Sequence, residues 1–497
     1  MIHRTGLLGI TGILILGAAP AGAFNCPDLE TDTRRAMTGW QVPGLALGVV
    51  ADGRPADLRT FGVSDVASDR PVTERTVFGI GSIAKSMTAL SFTILDAKNE
   101  LPLDTPVNST LPDFPAGITI RHLLSHRAGW PRHDALWYLN AYDRQSLPTR
   151  LARLPRFAPP GAAFQYNNVP FAAAGAFLTK LKGVSWDDWI RNVILEPTGM
   201  TSAMTRFTVF RNNPDRATPY FPARKGRISL DLRDTDPVGP AAGVYANLPD
   251  MTRYLALLAG GGIVDDRRVI PAKAVQTLLE PTSPRYGLGL RVGKWRGEQL
   301  AFHPGFIDGY GARISVLPGR KAGVVVLTNM SGQTPVARIV SQIVLDCLTG
   351  TLRTDWVARF GDGRKPPKPM LPPPAPATPN QAAGTYAGTF TLPAYGPIAF
   401  AAIPGSAGNH GNHGNHRLSG SFHGRKFTLD YAGRNTWRLG ETHWPLREGL
   451  IFTFSGFTVK GFETVSAPLA DGPTYRHKAG PLAFLRQGLP SQVSSPD

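Results

Sequence analysis

An α+β fold is expected, with one antiparallel sheet flanked by helices and a small antiparallel β-barrel after it. Three observations carry this. Strand-like apolar runs occur near residues 45–62 and again at 287–328. The runs between them are apolar at helical spacing. A layer fold with strands at both ends and helices between closes only if the two ends share one sheet. Third, beyond a proline-rich stretch, short alternating runs separated by glycines recur at barrel-like intervals from about residue 381 to 489.

In chain order, Arg4 precedes an apolar stretch from Gly6 to Ala19 and then Ala21-Gly-Ala23. That is the layout of a secretory leader cut after Ala23. The stretch is short for a membrane span, and no later run reaches ~18 uninterrupted apolar residues. The mature chain is therefore expected to be periplasmic or secreted, without a transmembrane anchor. Asp28 to Trp40 suits an amphipathic helix. Leu45 to Val50 reads as a buried strand, with Leu58 to Gly62 as its hairpin partner. Ile118 to His126 opens another helix, with Thr119 as N-cap. Helical patterns follow at Trp186–Leu195 and Asp250–Leu258. Gly287–Val292, Ala312–Leu317 and Gly323–Thr328 read as consecutive strands, with Pro318-Gly319 as a turn, and a helix from Pro335 to Leu348 closes the section. These readings divide the chain into a leader (1–23), a catalytic-type domain (24–364), a stiff proline-rich linker (365–379) and a barrel (380–497).

Composition narrows the function classes. Hydrophobic residues at 42% and charged residues at 18% are those of a globular protein, and 497 residues suffice for two or three domains. Loss of Arg4 leaves 52 basic against 36 acidic residues, a net +16. The basic residues are scattered and form no nucleic-acid motif, so nucleic acid is not an expected partner. Anionic envelope polymers suit that charge better. Cys26 and Cys347 would both meet an oxidising compartment, and their separation alone neither favours nor excludes pairing. Gly408-Asn-His repeats three times up to His416. Such flexible spacing fixes no coordination geometry, so a loop is expected there and no metal.

The chemistry gathers at three stretches. In Val77-Phe-Gly-Ile-Gly-Ser82-Ile-Ala-Lys85, two glycines allow a tight turn, and apolar residues at helical spacing follow. Ser82 then sits at a helix N-terminus with Lys85 one turn on, on the same face. A serine needs a base beside it, and a buried lysine can lose its proton to become one. Backbone N–H groups at the same turn can hold an oxyanion. The second stretch is Gln165-Tyr166-Asn167-Asn168. A tyrosine whose pKa is lowered by nearby ammonium groups can relay protons, and Asn168 can bind a substrate amide. Tyr138-Leu-Asn140 has the same spacing, but Tyr138 falls in a helical stretch, whereas Tyr166 lies on a loop framed by Pro160-Gly161 and the helix from Phe171. The third is Phe302-His303-Pro304-Gly305-Phe306, read as a turn before a strand. There His303 offers a proton donor or positive edge, Gly305 allows close approach, and the Phe306 N–H can complete an oxyanion site.

Ser82-x-x-Lys85, Tyr166-x-Asn168 and His303-x-Gly305, in that order, resemble the three motifs of the serine β-lactamase and penicillin-binding protein superfamily, in its class C β-lactamase-like branch. Ile120–Gly129, Leu195–Met200, Ala242–Met251 and Val324–Asn329 are similar to its connecting stretches, so the likeness runs from about residue 30 to 348. The C-terminal part resembles the lipocalin-like barrel attached to some of these hydrolases. The resemblance implies an all-helical subdomain beside the sheet and catalysis by Ser82, Lys85, Tyr166 and His303. It also implies a substrate and oxyanion site at Asn168, Gly305 and Phe306, and no cofactor. It brings the first and last helices onto one sheet face, which allows a Cys26–Cys347 bridge.

The departures matter too. In β-lactamases of this family the third motif is Lys-Thr-Gly followed by Ser or Thr, and in DD-peptidases of the branch His can stand first, flanked by Thr. Those hydroxyls bind the substrate carboxylate. Pro304 and Phe306 remove both, and an unpaired carboxylate would bear a desolvation cost. Hydrolysis of esters or amides (peptides, including those of D-amino acids) is therefore expected over β-lactam or D-Ala-D-Ala cleavage. The alternatives are a DD-peptidase or D-aminopeptidase acting on peptidoglycan-type peptides, and a non-catalytic envelope-binding protein.

Overall fold

The structure is a computed structural model. It describes residues 24–138, 142–223, 226–331, 334–351 and 354–361, and the strands between 388 and 486. The expected leader, proline-rich linker and Gly-Asn-His repeat lie outside the described residues.

The chain's two strand-rich ends do meet in one sheet. Strands β1 (Gly44–Ala51) and β2 (Arg54–Asp65) form the hairpin near the start. Strands β3 (Arg291–Trp295), β4 (Glu298–Ile307), β5 (Tyr310–Leu317) and β6 (Ala322–Thr328) form a meander near the end. The order is β3-β4-β5-β6-β1-β2, with the short strand Arg70–Pro71 at the edge. The join is antiparallel, Leu47 facing Val326 on one side and Arg59 on the other. Central β1 and β6 are almost wholly apolar and buried on both faces, as a covered sheet demands.

Alternate residues of β1 serve different cores. Leu45, Leu47 and Val49 pack towards helices α1 (Leu29–Trp40) and α7 (Val336–Thr349). Ala46 and Val50 point into a larger core, shared with helices α2 (Ala84–Ala97), α5 (Val169–Lys182) and α6 (Leu248–Ala259). Among the short helices between them are α3 (Ile120–Leu124) and α4 (Ala135–Tyr138). Thr119 caps α3 as expected, accepting from the His122 N–H. Cys26, just before α1, is disulfide-bonded to Cys347 on α7, with Cα atoms 5.5 Å apart.

Two expectations shift. Gly287–Leu290 is not strand: Gly289 has φ +69° and turns the chain against the Lys85 carbonyl, and β3 starts only at Arg291. His303–Phe306 is not a turn but the end of β4. A proline is tolerated there because β3 pairs with β4 only up to Phe302, leaving Pro304 on a stretch with a ladder on one side. Among the described residues beyond 380, nine strands form a second antiparallel sheet. Sequence neighbours pair from Gly388–Leu392 to Tyr475–Lys478, and Leu485–Arg486 pairs back onto the first.

Candidate active site

Ser82 lies in a one-turn 3-10 segment, Gly81–Ile83, that runs directly into α2. Gly81 holds φ +51°, where a side chain is disfavoured, and a Cβ there would sit 2.6 Å from the Phe306 nitrogen. From the other side, a Cβ on Gly305 would sit 2.0 Å from the Ile80 carbonyl oxygen. The two glycines thus let the serine turn and the end of β4 touch backbone to backbone. Gly79 has an ordinary φ and serves packing instead, since a Cβ there would meet Ile307 and Tyr310.

Lys85 is wholly buried. Its Nζ is 3.1 Å from Ser82 Oγ, 2.7 Å from Asn168 Oδ1 and 3.0 Å from the Ala241 carbonyl oxygen. Burial pushes the amine well below its usual pKa. Arg132 adds to the drop and Asp134 opposes it. A neutral amine has two N–H bonds and one lone pair. Asn168 Oδ1 and Ala241 O can only accept, so they take the N–H bonds and the lone pair is left facing Ser82.

Tyr166 donates its O–H to Ser82 Oγ at 2.8 Å. Burial pushes its pKa up to about 12, outweighing the Ser82 hydrogen bond and the charges of Arg132 and Arg291. The expectation of a lowered tyrosine pKa is thereby corrected: desolvation exceeds the pull of the cations, and Tyr166 is a protonated donor. Tyr138, the other tyrosine at that spacing, bonds Asp308 instead.

Asn168 is built into the site through both ends of its amide. Its Oδ1 holds Lys85, and its Nδ2 donates to both oxygens of Asp134, at 3.0 and 3.2 Å. With the amide oxygen on Lys85 and the amide nitrogen on Asp134, Asn168 orients the lysine. Burial pushes Asp134 upwards, but the adjacent Arg132 guanidinium and bonds from Trp137 and Asn168 win, so the carboxyl stays below the usual range.

His303 is buried and neutral, its pKa driven well down by desolvation and by Lys85 and Arg291. Its Nδ1 is 2.6 Å from the Pro304 carbonyl and its Nε2 is 3.2 Å from Tyr286 Oη. Both nitrogens are engaged within the fold, so the expected proton donor or positive edge is not what this residue supplies. Gly305 and Phe306 follow on β4, with the Phe306 nitrogen against the Ser82 turn.

Four residues of this site escape a sequence reading: Asp134, Ala241, His126 and Tyr286. His126 lies below Tyr166, with ring centroids 4.3 Å apart, and its Nε2 is 3.0 Å from Tyr286 Oη. Phe164, 43% exposed, rests on the rings of both His126 and Tyr286. Among the described residues no group of His, Cys, Asp and Glu side chains could hold a metal ion, and no helix is long and apolar enough to cross a membrane.

Similarity to known proteins agrees with this geometry. The Beta-lactamase family profile matches residues 29–346. An unguisins hydrolase of Aspergillus campestris is 27% identical, over 74% of this chain and 76% of its own. Penicillin-binding protein 4 of Amycolatopsis lactamdurans is 28% identical, over 59% of this chain and 82% of its own. The octameric penicillin-binding protein homologue from Pyrococcus abyssi superposes with a TM-score of 0.59 at 20% identity, covering 92% of this chain and 99% of that one. The chain belongs to the Beta-lactamase family, within the serine β-lactamase and penicillin-binding protein superfamily, and is a serine hydrolase of that group.

Proposed function

We propose that the protein is an exported hydrolase that cleaves ester or amide bonds through an acyl-enzyme on Ser82, with substrates that lack a carboxylate next to the scissile bond. The observation that carries this is the buried Lys85 Nζ, 3.1 Å from Ser82 Oγ and held there by two carbonyl acceptors. As Ser82 Oγ bonds to the substrate carbonyl carbon, its proton passes to Lys85. The backbone N–H groups of Ser82 and Phe306 receive the oxyanion. Collapse breaks the bond to the leaving group, which takes a proton from Tyr166, and Lys85 re-protonates the tyrosine. Water then attacks the acyl carbon and returns the proton to Ser82.

Support for a neutral substrate comes from Pro304 and Phe306, which offer no side-chain hydroxyl. The similarity to an unguisins hydrolase suits a peptide substrate. Export fits the leader-like N-terminus and the Cys26–Cys347 disulfide, and the C-terminal strands suit a barrel attached to the hydrolase domain. Hydrolysis of a short p-nitrophenyl ester, wild type beside Ser82→Ala, is the test, with D-aminoacyl amides next. Turnover lost in the variant with the fold intact is the expected result. Undiminished turnover would overturn the assignment.

A further inference from the structure

We propose that His126 and Tyr286 are positioning residues that fix the Tyr166 loop against the end of β4 through one directed chain of hydrogen bonds. This rests on the Ser82 reading above.

The direction of the chain follows from its two ends. The Pro304 carbonyl can only accept, so His303 Nδ1 carries the hydrogen of their 2.6 Å bond. His303 Nε2 then has only a lone pair and must accept the Tyr286 O–H at 3.2 Å. That uses the one proton Tyr286 has. The 3.0 Å contact of Tyr286 Oη with His126 must therefore be a donation from His126 Nε2–H. His126 Nδ1 is left as an acceptor, and it receives the backbone N–H of Asn167 at 3.2 Å. Starting from Pro304, the deduction thus reaches Asn167 with a backbone donor where the chain needs one.

Four consecutive bonds run from the residue between Tyr166 and Asn168 to the residue before Gly305. All three side chains are buried, away from bulk solvent. His126 itself sits at φ +59°, and its carbonyl accepts the Gln165 N–H. Lys85 on α2 and Arg291 on β3 face both imidazoles electrostatically, and Arg132 faces that of His126. His126 also faces His303, and His303 also faces Arg313 of β5. Every one of these groups other than the histidines is basic, so none favours a charged ring. The chain is correctly ordered only while both rings are neutral. An added proton on either Nε2 or Nδ1 would set donor against donor, or leave the Tyr286 hydrogen without an acceptor.

Two measurements test this on the full-length protein. Histidine-selective ¹⁵N NMR of the wild type reads the tautomers: His126 should be the Nε2–H form and His303 the Nδ1–H form. The opposite tautomer at either would overturn the proposal. In kinetics on the p-nitrophenyl ester, Tyr286→Phe should lower kcat about 10- to 100-fold with KM within twofold. His126→Gln can still accept from Asn167 and donate to Tyr286, and should stay within about fivefold of wild type. His126→Leu can do neither, and should fall with Tyr286→Phe. A space-filling role would rank Leu with Gln or above it, and that ranking, or a folded Tyr286→Phe with full kcat, would refute the chain. Should Tyr286→Phe not fold, the Gln and Leu pair and the tautomers still decide. Loss of turnover in Ser82→Ala alongside normal Tyr286→Phe would sink only the chain, whereas full turnover in Ser82→Ala would sink the reading beneath it.

Discussion

Replacing Gly81 with alanine probes how closely the Ser82 turn must approach β4. Two costs are separable. At φ +51° an added Cβ bears a backbone penalty of about 1–2 kcal/mol. The Cβ would also lie 2.6 Å from the nitrogen, 2.8 Å from the carbonyl carbon and 2.8 Å from the oxygen of Phe306, all backbone atoms. Ordinary contact begins at 3.4 Å, so the nearest pair must open by 3.4 − 2.6, or 0.8 Å. Oxyanion donors act only within a narrow range of position, and a displacement near 1 Å costs roughly 10²-fold in rate. Gly117→Ala is the control, because Gly117 has φ +79° but a Cβ there meets nothing within 4 Å. Both variants should lose stability in thermal unfolding. Only Gly81→Ala should lose kcat on the p-nitrophenyl ester, by roughly 30- to 100-fold. Turnover of Gly81→Ala within threefold of the Gly117→Ala value would show that the apposition of the turn and β4 is not what sets the rate.

Asn168→Ala frees one Lys85 N–H and removes a bond to Asp134, both in buried ground. Stability should fall by about 3–5 kcal/mol by denaturant titration, with kcat reduced further than KM is raised. A stability loss under 1 kcal/mol would contradict the bridge. The Cys26–Cys347 bond spans 321 residues of sequence. The chain-entropy relation gives about 5–6 kcal/mol as its upper worth. The Cys26→Ser/Cys347→Ser protein should melt several degrees lower, and an unchanged midpoint would refute a structural role. Activity should need Lys85 neutral and Tyr166 protonated. It should therefore be present above the lowered pKa of Lys85 and below the value of about 12 for Tyr166. On an amide substrate, kcat/KM should stay level to about pH 11. A decline centred near pH 8 or 9 would mean that a protonated lysine is required.

What the sequence makes legible here is local. Ser82 and Lys85 are one turn apart, so helix geometry alone places them together, and the glycine before them marks the turn. The sheet built from both ends follows from where the apolar runs lie. The partners that decide protonation are remote: Ala241 is 156 residues from Lys85, and Tyr286 is 160 from His126. No spacing rule reaches that far. Asp134 follows Arg132 and His133 in a stretch with no motif to mark it, yet it is 2% exposed. Burial was also the missing quantity for Tyr166. Counting nearby cations predicts a lowered pKa, and only the depth of the site reverses the sign. The end of β4 was misread because proline and glycine usually signal a turn, and the short reach of β3 that tolerates them is a property of the assembled sheet.

The helices α1 and α7 occupy the sheet face away from α2, stapled to each other by the disulfide. The two ends of the hydrolase domain are thus neighbours, on the side remote from Ser82. A short peptide joining them should allow new termini to be opened in an exposed turn such as Pro318–Arg320. For the same reason, anchoring the protein to a bead or chip through helix α1 should leave the Ser82 turn on the far side of the sheet from the support.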